Sequence, residues 1–132
     1  FLQKKTWKNP HFLNKNAKNI FITIFSVYKS NASFYCYLKV IFKTIEWFEN
    51  ITNVPFPLPR FQMLAIPLFQ FLAMENYGLL IQTNIFLISE AVFHEIAHQW
   101  ASYSVSPLWW NALWLNENFA TILPYITFNE MM

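Results

Sequence analysis

The amino-acid sequence predicts an α+β fold that is mainly α-helical. Three observations support this prediction: a β-branched and aromatic run near the N-terminus, an amphipathic helical pattern directly after it, and two further helical windows towards the C-terminus. The 132 residues are 55% hydrophobic and 12% charged, which excludes a disordered chain. Because so few charges can hardly coat a small free-standing domain, we expect these residues to form part of a larger core.

The first half of the chain is predicted to contain one strand and one helix. Residues 1–19 are polar and basic and are expected to form a loop, whereas residues 20–28 are β-branched and aromatic enough for a strand. Residues 33–50 carry apolar side chains at three- and four-residue intervals, with Ser33 as a candidate cap, which predicts an amphipathic helix. The apolar positions are Leu38, Ile41, Phe42, Ile45 and Phe48.

Two strands are expected in the middle of the chain. Three prolines within residues 53–60 end the helix and predict an extended connector. Residues 61–69 and 73–82 are the predicted strands. Gly78 is the only glycine, and inside a strand it marks either a bulge or a close backbone approach.

Two helices are predicted to follow the strands. Ser89 can cap a helix that continues to residue 103, and residues 105–110 are expected to form a turn. Asn111 can cap a second helix, which Pro124 is expected to stop or kink. The predicted order is therefore strand, helix, two strands, helix, helix.

Charge is distributed unevenly, although the formal net charge is only +2. Eight lysines precede the first acidic residue, Glu46, and Arg60 is the only Lys or Arg after it. A basic arm can contact nucleic acid or an anionic surface, but this one lacks arginine, the better fork for phosphate. We interpret it as a solvated, compositionally biased segment and expect no nucleic-acid partner.

Several features bear on the cellular location. No run of 18 apolar residues predicts a transmembrane helix, and the segment that starts at Phe1 lacks the pattern of a signal peptide. A full-length protein that begins further upstream leaves room for a membrane anchor. Glycosylation triplets at Asn31 and Asn50 favour an extracellular or membrane-associated location over a cytoplasmic one. Cys36, the only cysteine, is expected to be a small buried residue.

Two of the three histidines, His94 and His98, lie four residues apart and flank Glu95. On a helix this spacing places both imidazoles on one face, where they can bind one ion. Glu95 is rotated by about 100° from His94 and can take a proton from water on that ion. Glu117 follows 19 residues after His98, on the next predicted helix, and is a candidate third ligand.

The alternative is that both histidines are hydrogen-bonded residues of a helix core. Burying two imidazoles and two carboxylates among apolar neighbours is costly without an ion that satisfies them, which favours the metal site. Imidazole ligands favour Zn²⁺ over Mg²⁺ or Ca²⁺. The expected apolar neighbours are Phe93, Ile96, Trp100, Leu113 and Leu115.

These segments resemble those of a known family. FHEIAHQW and SPLWWNALWLNENFA are similar to HELAHQW and TPxWWxxLWLNEGFA of the alanyl aminopeptidase (aminopeptidase N) family, which comprises zinc metallopeptidases of the gluzincin type. Residues 72–76, LAMEN, resemble the exopeptidase motif GAMEN, and residues 54–67 resemble the segment before it. Residues 20–28 are similar to the last strand before the family's catalytic domain. The resemblance covers about residues 20–125 in the family's order.

The resemblance implies a thermolysin-like zincin fold. Residues 1–29 would end an N-terminal β domain, and residues 30–132 would form part of the zinc metallopeptidase catalytic domain. As part of a longer chain, the enzyme would remove N-terminal residues from peptides that have a free N-terminus. Glu95 would activate water and pass its proton to the leaving amine, and Glu75 would bind the α-ammonium group of the substrate. The other implied site residues are the Zn²⁺ ligands His94, His98 and Glu117 and the substrate-binding residues Ala73, Met74 and Asn76.

Departures from the family pattern leave other functions open. Leu72 replaces the first glycine of GAMEN, Asn118 replaces the glycine of NEGFA, and Ser102 and Tyr103 replace a Gly-Asn pair after HQW. The connection between the two motifs is shorter than usual. The family's catalytic tyrosine lies well beyond the third zinc ligand, at a location that neither Tyr103 nor Tyr125 occupies. The alternatives are a catalytically inactive aminopeptidase-like protein that binds peptides or partners, an endopeptidase of the same zinc type, and a purely structural helical module.

Overall fold

The computed structural model describes residues 11–13, 20–26, 31–67, 69–83 and 90–131. The described part is an α+β structure, as the sequence predicted, with one five-stranded sheet and three α-helices. Its elements are β1 (His11–Leu13), β2 (Phe21–Ser26), α1 (Asn31–Thr52), β3 (Arg60–Ala65), β4 (Ala73–Asn76), β5 (Leu79–Gln82), α2 (Glu90–Ala101), a 3-10 turn (Trp110–Ala112) and α3 (Leu113–Met131).

The sheet is mixed and has the strand order β1-β2-β3-β5-β4. β2, β3 and β5 run parallel to one another, whereas β1 and β4 are antiparallel strands at the two edges. α1 connects the parallel neighbours β2 and β3, because such a pair needs a long crossover. The edge strand β4 contacts α2, the helix that carries both histidines of the predicted metal site.

The apolar face of α1 follows the spacing read from the sequence. Leu38, Ile41, Ile45 and Phe48 are all buried in one hydrophobic cluster with the sheet. β3 contributes every second side chain to the same cluster. Phe61, Met63 and Ala65 are fully buried on one face of this strand. Each large apolar side chain buried in this way contributes about 1.5–3 kcal/mol.

Trp100 fixes α2 against the rest of the core. Its ring lies 5.3 Å from that of Phe48 on α1 and 5.5 Å from that of Phe56 in the connector, measured between centroids. The indole N–H donates a hydrogen bond to the carbonyl oxygen of Val54 at 3.0 Å. Because Trp100 follows His98 by two residues, this anchor holds the histidine end of α2 in place.

Residues 73–82 form a hairpin and not the single strand that we predicted. Gly78 lies in the two-residue turn between β4 and β5, with φ of +74°, a conformation that L-residues other than glycine avoid. A Cβ on Gly78 would lie 2.6 Å from Cδ1 of Leu58. The predicted close approach is therefore confirmed, but it belongs to a turn. The preceding strand is also shorter than predicted and ends at Ala65.

The helix ends differ from the predictions as well. α2 ends at Ala101, earlier than expected, and the predicted cap Ser89 lies outside the described residues. Asn111 does not cap α3, because it lies inside the 3-10 turn that leads into that helix. Pro124 does not stop α3, which continues to Met131. A proline inside a helix leaves one carbonyl without its usual partner.

Two predictions near the N-terminus are wrong. Residues 11–13 form β1 where we predicted a loop, because pairing with β2 orders a segment that has no strand pattern of its own. Cys36 is exposed and not buried, because it lies on the outward side of α1, opposite Tyr37 and Leu38. The proposed domain division after residue 29 stays a prediction; β2 and β3 pair within one sheet. Within the described ranges, no helix has the length and apolar character needed to cross a membrane.

Candidate active site and metal centre

The helix α2 presents two imidazole side chains towards one point. The imidazole Nε2 atoms of His94 and His98 lie 3.0 Å apart, and the two rings meet edge to face with centroids 4.7 Å apart. His98 is almost fully buried, whereas a quarter of the His94 side chain is exposed. The spacing of four residues on a helix produces this convergence directly.

Glu117 approaches the two histidines from α3. One carboxylate oxygen lies 3.5 Å from Nε2 of His94 and the other lies 3.8 Å from Nε2 of His98. The turn between the two helices reverses the chain, so that α3 packs along α2. Three ligand atoms of two types, imidazole nitrogen and carboxylate oxygen, thus lie within 4.8 Å of one another and could hold a metal ion.

Glu95 is buried beside this group. Its Oε2 atom has no hydrogen-bond partner among the described residues, and a buried polar atom left in that state costs about 1–3 kcal/mol. Burial, together with the neighbouring carboxylate of Glu75, raises the pKa of Glu95 to about 8. Burial also lowers the pKa of the His98 imidazole, which favours its neutral form. A neutral imidazole is the form that binds metal ions.

Glu75 reaches the same place from the edge strand β4. Glu75, Glu95 and His98 offer ligand atoms that lie within 4.8 Å of one another. The residues of β4, which are the predicted substrate-binding positions Ala73, Met74 and Asn76 besides Glu75, are all partly exposed. The structure therefore brings five of the predicted site residues close together, which are Glu75, Glu95 and the three proposed ligands. Ala73, Met74 and Asn76 lie on the strand that carries Glu75, and their assignment to the site stays a prediction.

Gln99 links the hairpin to α2, and sequence reasoning missed it. Its fully buried side-chain amide accepts a hydrogen bond from the backbone N–H of Gly78 at 2.9 Å and donates one to the carbonyl of Asn76 at 3.1 Å. Because Asn76 ends β4 and Gly78 lies in the β4–β5 turn, this amide fixes the position of β4 relative to the histidines. The signal in the sequence was a further polar residue directly after His98 and before the apolar Trp100.

Two hydroxyl groups contact the outer nitrogens of the histidines. Ser102 Oγ lies 2.8 Å from Nδ1 of His98, and Thr121 Oγ1 lies 3.5 Å from Nδ1 of His94. Each hydroxyl follows a predicted ligand, His98 or Glu117, by four residues, which places it one helical turn further along the chain. Sequence reasoning treated Ser102 only as a departure from the family pattern and did not consider Thr121.

The surroundings of the site are more open than the sequence suggested. Leu113 and Leu115, expected to bury the polar cluster, are exposed, and the side chain of Glu117 is 46% exposed. The free-energy cost of burying polar groups without an ion therefore applies only to the α2 side of the site, where Glu95 and His98 are buried. The apolar side chain of Leu72 is also exposed, next to the start of β4.

Tyr103 and Tyr125 are the two tyrosines that the sequence analysis considered in place of the family's catalytic tyrosine. Tyr103 packs against Tyr77, with ring centroids 5.1 Å apart. Burial and the carboxylates of Glu75 and Glu95 raise the pKa of Tyr103, which keeps its hydroxyl protonated. Tyr125 is exposed on α3.

The sequence was compared with known protein families and with curated proteins. Residues 36–132 match the Peptidase family M1 domain. The chain belongs to peptidase family M1. The matched M1 region begins within α1 and includes every residue of the candidate site.

Its M1 relatives come from plants, bacteria and archaea. Aminopeptidase M1-A of Oryza sativa subsp. japonica is 41% identical over 103 residues, which cover 67% of this chain and 12% of the relative. Aminopeptidase N of Lactococcus lactis subsp. lactis is 34% identical over 119 residues, which cover 80% of this chain and 14% of the relative. Tricorn protease-interacting factor F2 of Thermoplasma acidophilum is 36% identical over 103 residues, which cover 68% of this chain and 13% of the relative. The chain thus spans 12–14% of the length of these M1 relatives.

Proposed function

We propose that this M1 protein is a zinc-dependent aminopeptidase that removes N-terminal residues from peptides, with a thermolysin-like arrangement of its catalytic helices. One observation carries the proposal: two imidazoles and a carboxylate from α2 and α3 converge beside the buried carboxylate of Glu95. Membership of the family and the names of the relatives support the peptidase class.

His94, His98 and Glu117 are the proposed metal ligands. Atoms that share one zinc ion at about 2.0–2.1 Å lie roughly 3–4 Å apart, and the distances between these side chains are 3.0, 3.5 and 3.8 Å. Two nitrogens and one oxygen form a donor set that zinc accepts and that leaves a position for water. When bound, zinc would polarise the scissile carbonyl and make a coordinated water more acidic.

Glu95 is the proposed general base. Its Oε2 atom is buried and lacks a partner among the described residues, so it can accept the proton of a water held at the neighbouring metal position. Burial and the adjoining Glu75 carboxylate raise the pKa of Glu95 to about 8, which keeps this carboxyl largely protonated at neutral pH. The positive charge of a metal ion at the neighbouring position would lower that pKa and restore the carboxylate that a general base requires. Glu95 then donates the proton to the amine that leaves, which is the general acid–base role.

Glu75 is the proposed receptor of the free N-terminus. An α-ammonium group placed between Glu75 and Glu95 would offset the repulsion between these two groups, which contributes to the raised pKa of Glu95. Ala73, Met74 and Asn76 extend this subsite along β4, whose only strand partner in the described part of the chain is β5. The free side of an edge strand can pair with an extended peptide, which would direct the substrate into the site.

Leu72 favours a second candidate, a protein that binds peptides without hydrolysing them. Its side chain is 52% exposed at the entrance to β4, where it can obstruct a substrate backbone. The two candidates share the peptide-binding groups and differ in turnover.

The test measures turnover and metal content together in the intact protein. Purified protein is offered an alanine 4-nitroanilide and its N-acetylated form, before and after treatment with a zinc chelator, and zinc is counted by mass spectrometry. The aminopeptidase proposal predicts about one zinc per protein, chelator-sensitive hydrolysis of the free amine and little hydrolysis of the acetylated form. Zinc without turnover would support the binding protein. Equal hydrolysis of both substrates would indicate an endopeptidase, and absence of zinc would contradict the metal site.

A further inference from the structure

Ser102 lies immediately after α2 and makes two contacts with its hydroxyl group. The oxygen lies 2.7 Å from the carbonyl oxygen of Ala101 and 2.8 Å from Nδ1 of His98. Both distances are those of strong hydrogen bonds. The serine is partly buried, and it replaces a glycine of the family pattern, a residue that has no side chain to make either contact.

The two contacts together decide where the imidazole carries its proton. A serine hydroxyl has one hydrogen to donate, and a carbonyl oxygen can only accept. The hydroxyl of Ser102 must therefore donate to Ala101, since two acceptors at 2.7 Å with no hydrogen between them would repel. Its lone pair is then free to accept from His98, which requires that Nδ1 of His98 carries the hydrogen.

The opposite nitrogen of His98 faces the metal position. With the hydrogen on Nδ1, Nε2 keeps its lone pair, and this atom lies 3.0 Å from Nε2 of His94 and 3.8 Å from the carboxylate of Glu117. The other tautomer would place a hydrogen on Nε2 and block the donor atom that the cluster needs.

We propose that Ser102 is a positioning residue that holds His98 in the Nδ1–H tautomer and keeps its Nε2 available to a metal ion. The inference rests on the proposed function of the cluster as a metal centre. It assigns a role to a position outside the HExxH motif.

With a metal ion bound, Thr121 would provide a weaker version of the same arrangement. Its hydroxyl donates to the carbonyl of Glu117 at 2.7 Å and leaves a lone pair facing Nδ1 of His94 at 3.5 Å. That distance is beyond the range of a well-formed hydrogen bond. His94 is therefore held less firmly than His98, and the two hydroxyl groups should differ in their effect on metal affinity.

Zinc affinity of the intact protein, measured by competition with a chromogenic chelator, provides the first test. Removal of a group that orients a metal ligand typically weakens affinity 10–100-fold, so Ser102→Ala should bind zinc about 10–100-fold more weakly. Ser102→Thr, which keeps the hydroxyl, should restore affinity, and Thr121→Val should lose less than Ser102→Ala. Ser104→Ala is the matched control, because Ser104 also donates to a helix carbonyl, that of Gln99 at 2.9 Å, without contacting a histidine.

The second test reads the tautomer in the unsubstituted protein and does not depend on a variant that folds. Nitrogen-15 NMR of the zinc-free protein, at a pH above the imidazole pKa of about 6.5, should show the hydrogen of His98 on Nδ1. A signal from the Nε2–H tautomer of His98 would overturn the inference. Unchanged zinc affinity in Ser102→Ala would overturn it as well. Failure of the unsubstituted protein to bind zinc would instead overturn the proposed function, while the NMR result would still report on Ser102.

Discussion

The buried amide of Gln99 accepts a hydrogen bond from the backbone N–H of Gly78 at 2.9 Å. Its other end donates to the carbonyl of Asn76 at 3.1 Å, so one side chain joins the histidine helix to the end of β4 and to the β4–β5 turn. Glu75 immediately precedes Asn76, and its distance from Glu95 and His98 therefore depends on this link. The amide connects the proposed substrate-binding strand with the proposed catalytic helix.

Replacing Gln99 by Leu should destabilise the protein and displace β4. The buried N–H of Gly78 would lose its partner, at about 1–3 kcal/mol, the part-buried carbonyl of Asn76 would lose one as well, and Glu75 would no longer be held beside Glu95. We expect a lower free energy of unfolding in denaturant titration. Gln70→Leu is the control, because Gln70 is exposed and exposed substitutions usually change stability by less than about 0.5 kcal/mol. Equal effects of the two substitutions would show that the link contributes nothing.

Replacing Gly78 by Ala should also destabilise the protein, for two separable reasons. The positive φ of 74° costs about 1–2 kcal/mol for a residue with a Cβ. The new Cβ would also lie 2.6 Å from Cδ1 of Leu58. A double-mutant cycle with Leu58→Ala separates these terms, because the shorter side chain removes the clash but not the backbone strain. If Gly78→Ala is tolerated in both backgrounds, the turn does not have this conformation.

Local patterns predicted the elements whose cause is local. The spacing of Ile41, Ile45 and Phe48 predicted α1, and the spacing of four residues predicted that His94 and His98 converge. β1 was missed because its order comes from pairing with β2, and the hairpin was missed because Gly78 was interpreted as part of one strand. Pairing and packing between distant segments are not encoded in the period of either segment.

The candidate site was likewise predictable only in the features that have a local cause. The residue types and the resemblance to a family identified the candidate ligands. The contacts of α2 with β4 and α3 arise from tertiary packing, which the sequence pattern does not specify. The contacts of Ser102 and Thr121 with the outer histidine nitrogens could not be read from the sequence, because each depends on the orientation of an imidazole ring. Exposure of Leu113 and Leu115 was likewise unexpected, since helix periodicity alone does not say which face is covered.

Replacing His98 by Ala should remove the metal ion. His98 is the most buried of the three proposed ligands, and loss of one of three should weaken zinc binding by more than the roughly 10–100-fold of an outer-shell change. The measurement is zinc content after dialysis, together with the melting temperature, which a chelator should no longer change. His11→Ala is the matched control, because His11 lies on β1 at the opposite edge of the sheet from β4. Full zinc content in His98→Ala would rule out this ligand set.

Replacing Glu75 by Gln should weaken recognition of a free N-terminus. Hydrogen bonds to charged groups contribute about 1.5–3 kcal/mol, so kcat/KM for an aminoacyl anilide should fall roughly 10–150-fold, with zinc content unchanged. Glu90→Gln is the control, because Glu90 is exposed at the first turn of α2. A Glu75 variant that keeps its preference for free over acetylated amines would assign the ammonium group to another residue.

The most direct test of the proposed mechanism is the Glu95→Gln variant of the intact protein, assayed for zinc and for hydrolysis in the same preparation. Glutamine has the size of glutamate but cannot accept the proton of water, and Glu95 is not among the proposed ligands. We predict about one zinc per protein, as in the unsubstituted chain, and a fall in kcat of about 10²–10⁴, the usual contribution of a general base. Zinc retained together with undiminished hydrolysis would contradict the assignment of Glu95 and with it the proposed mechanism.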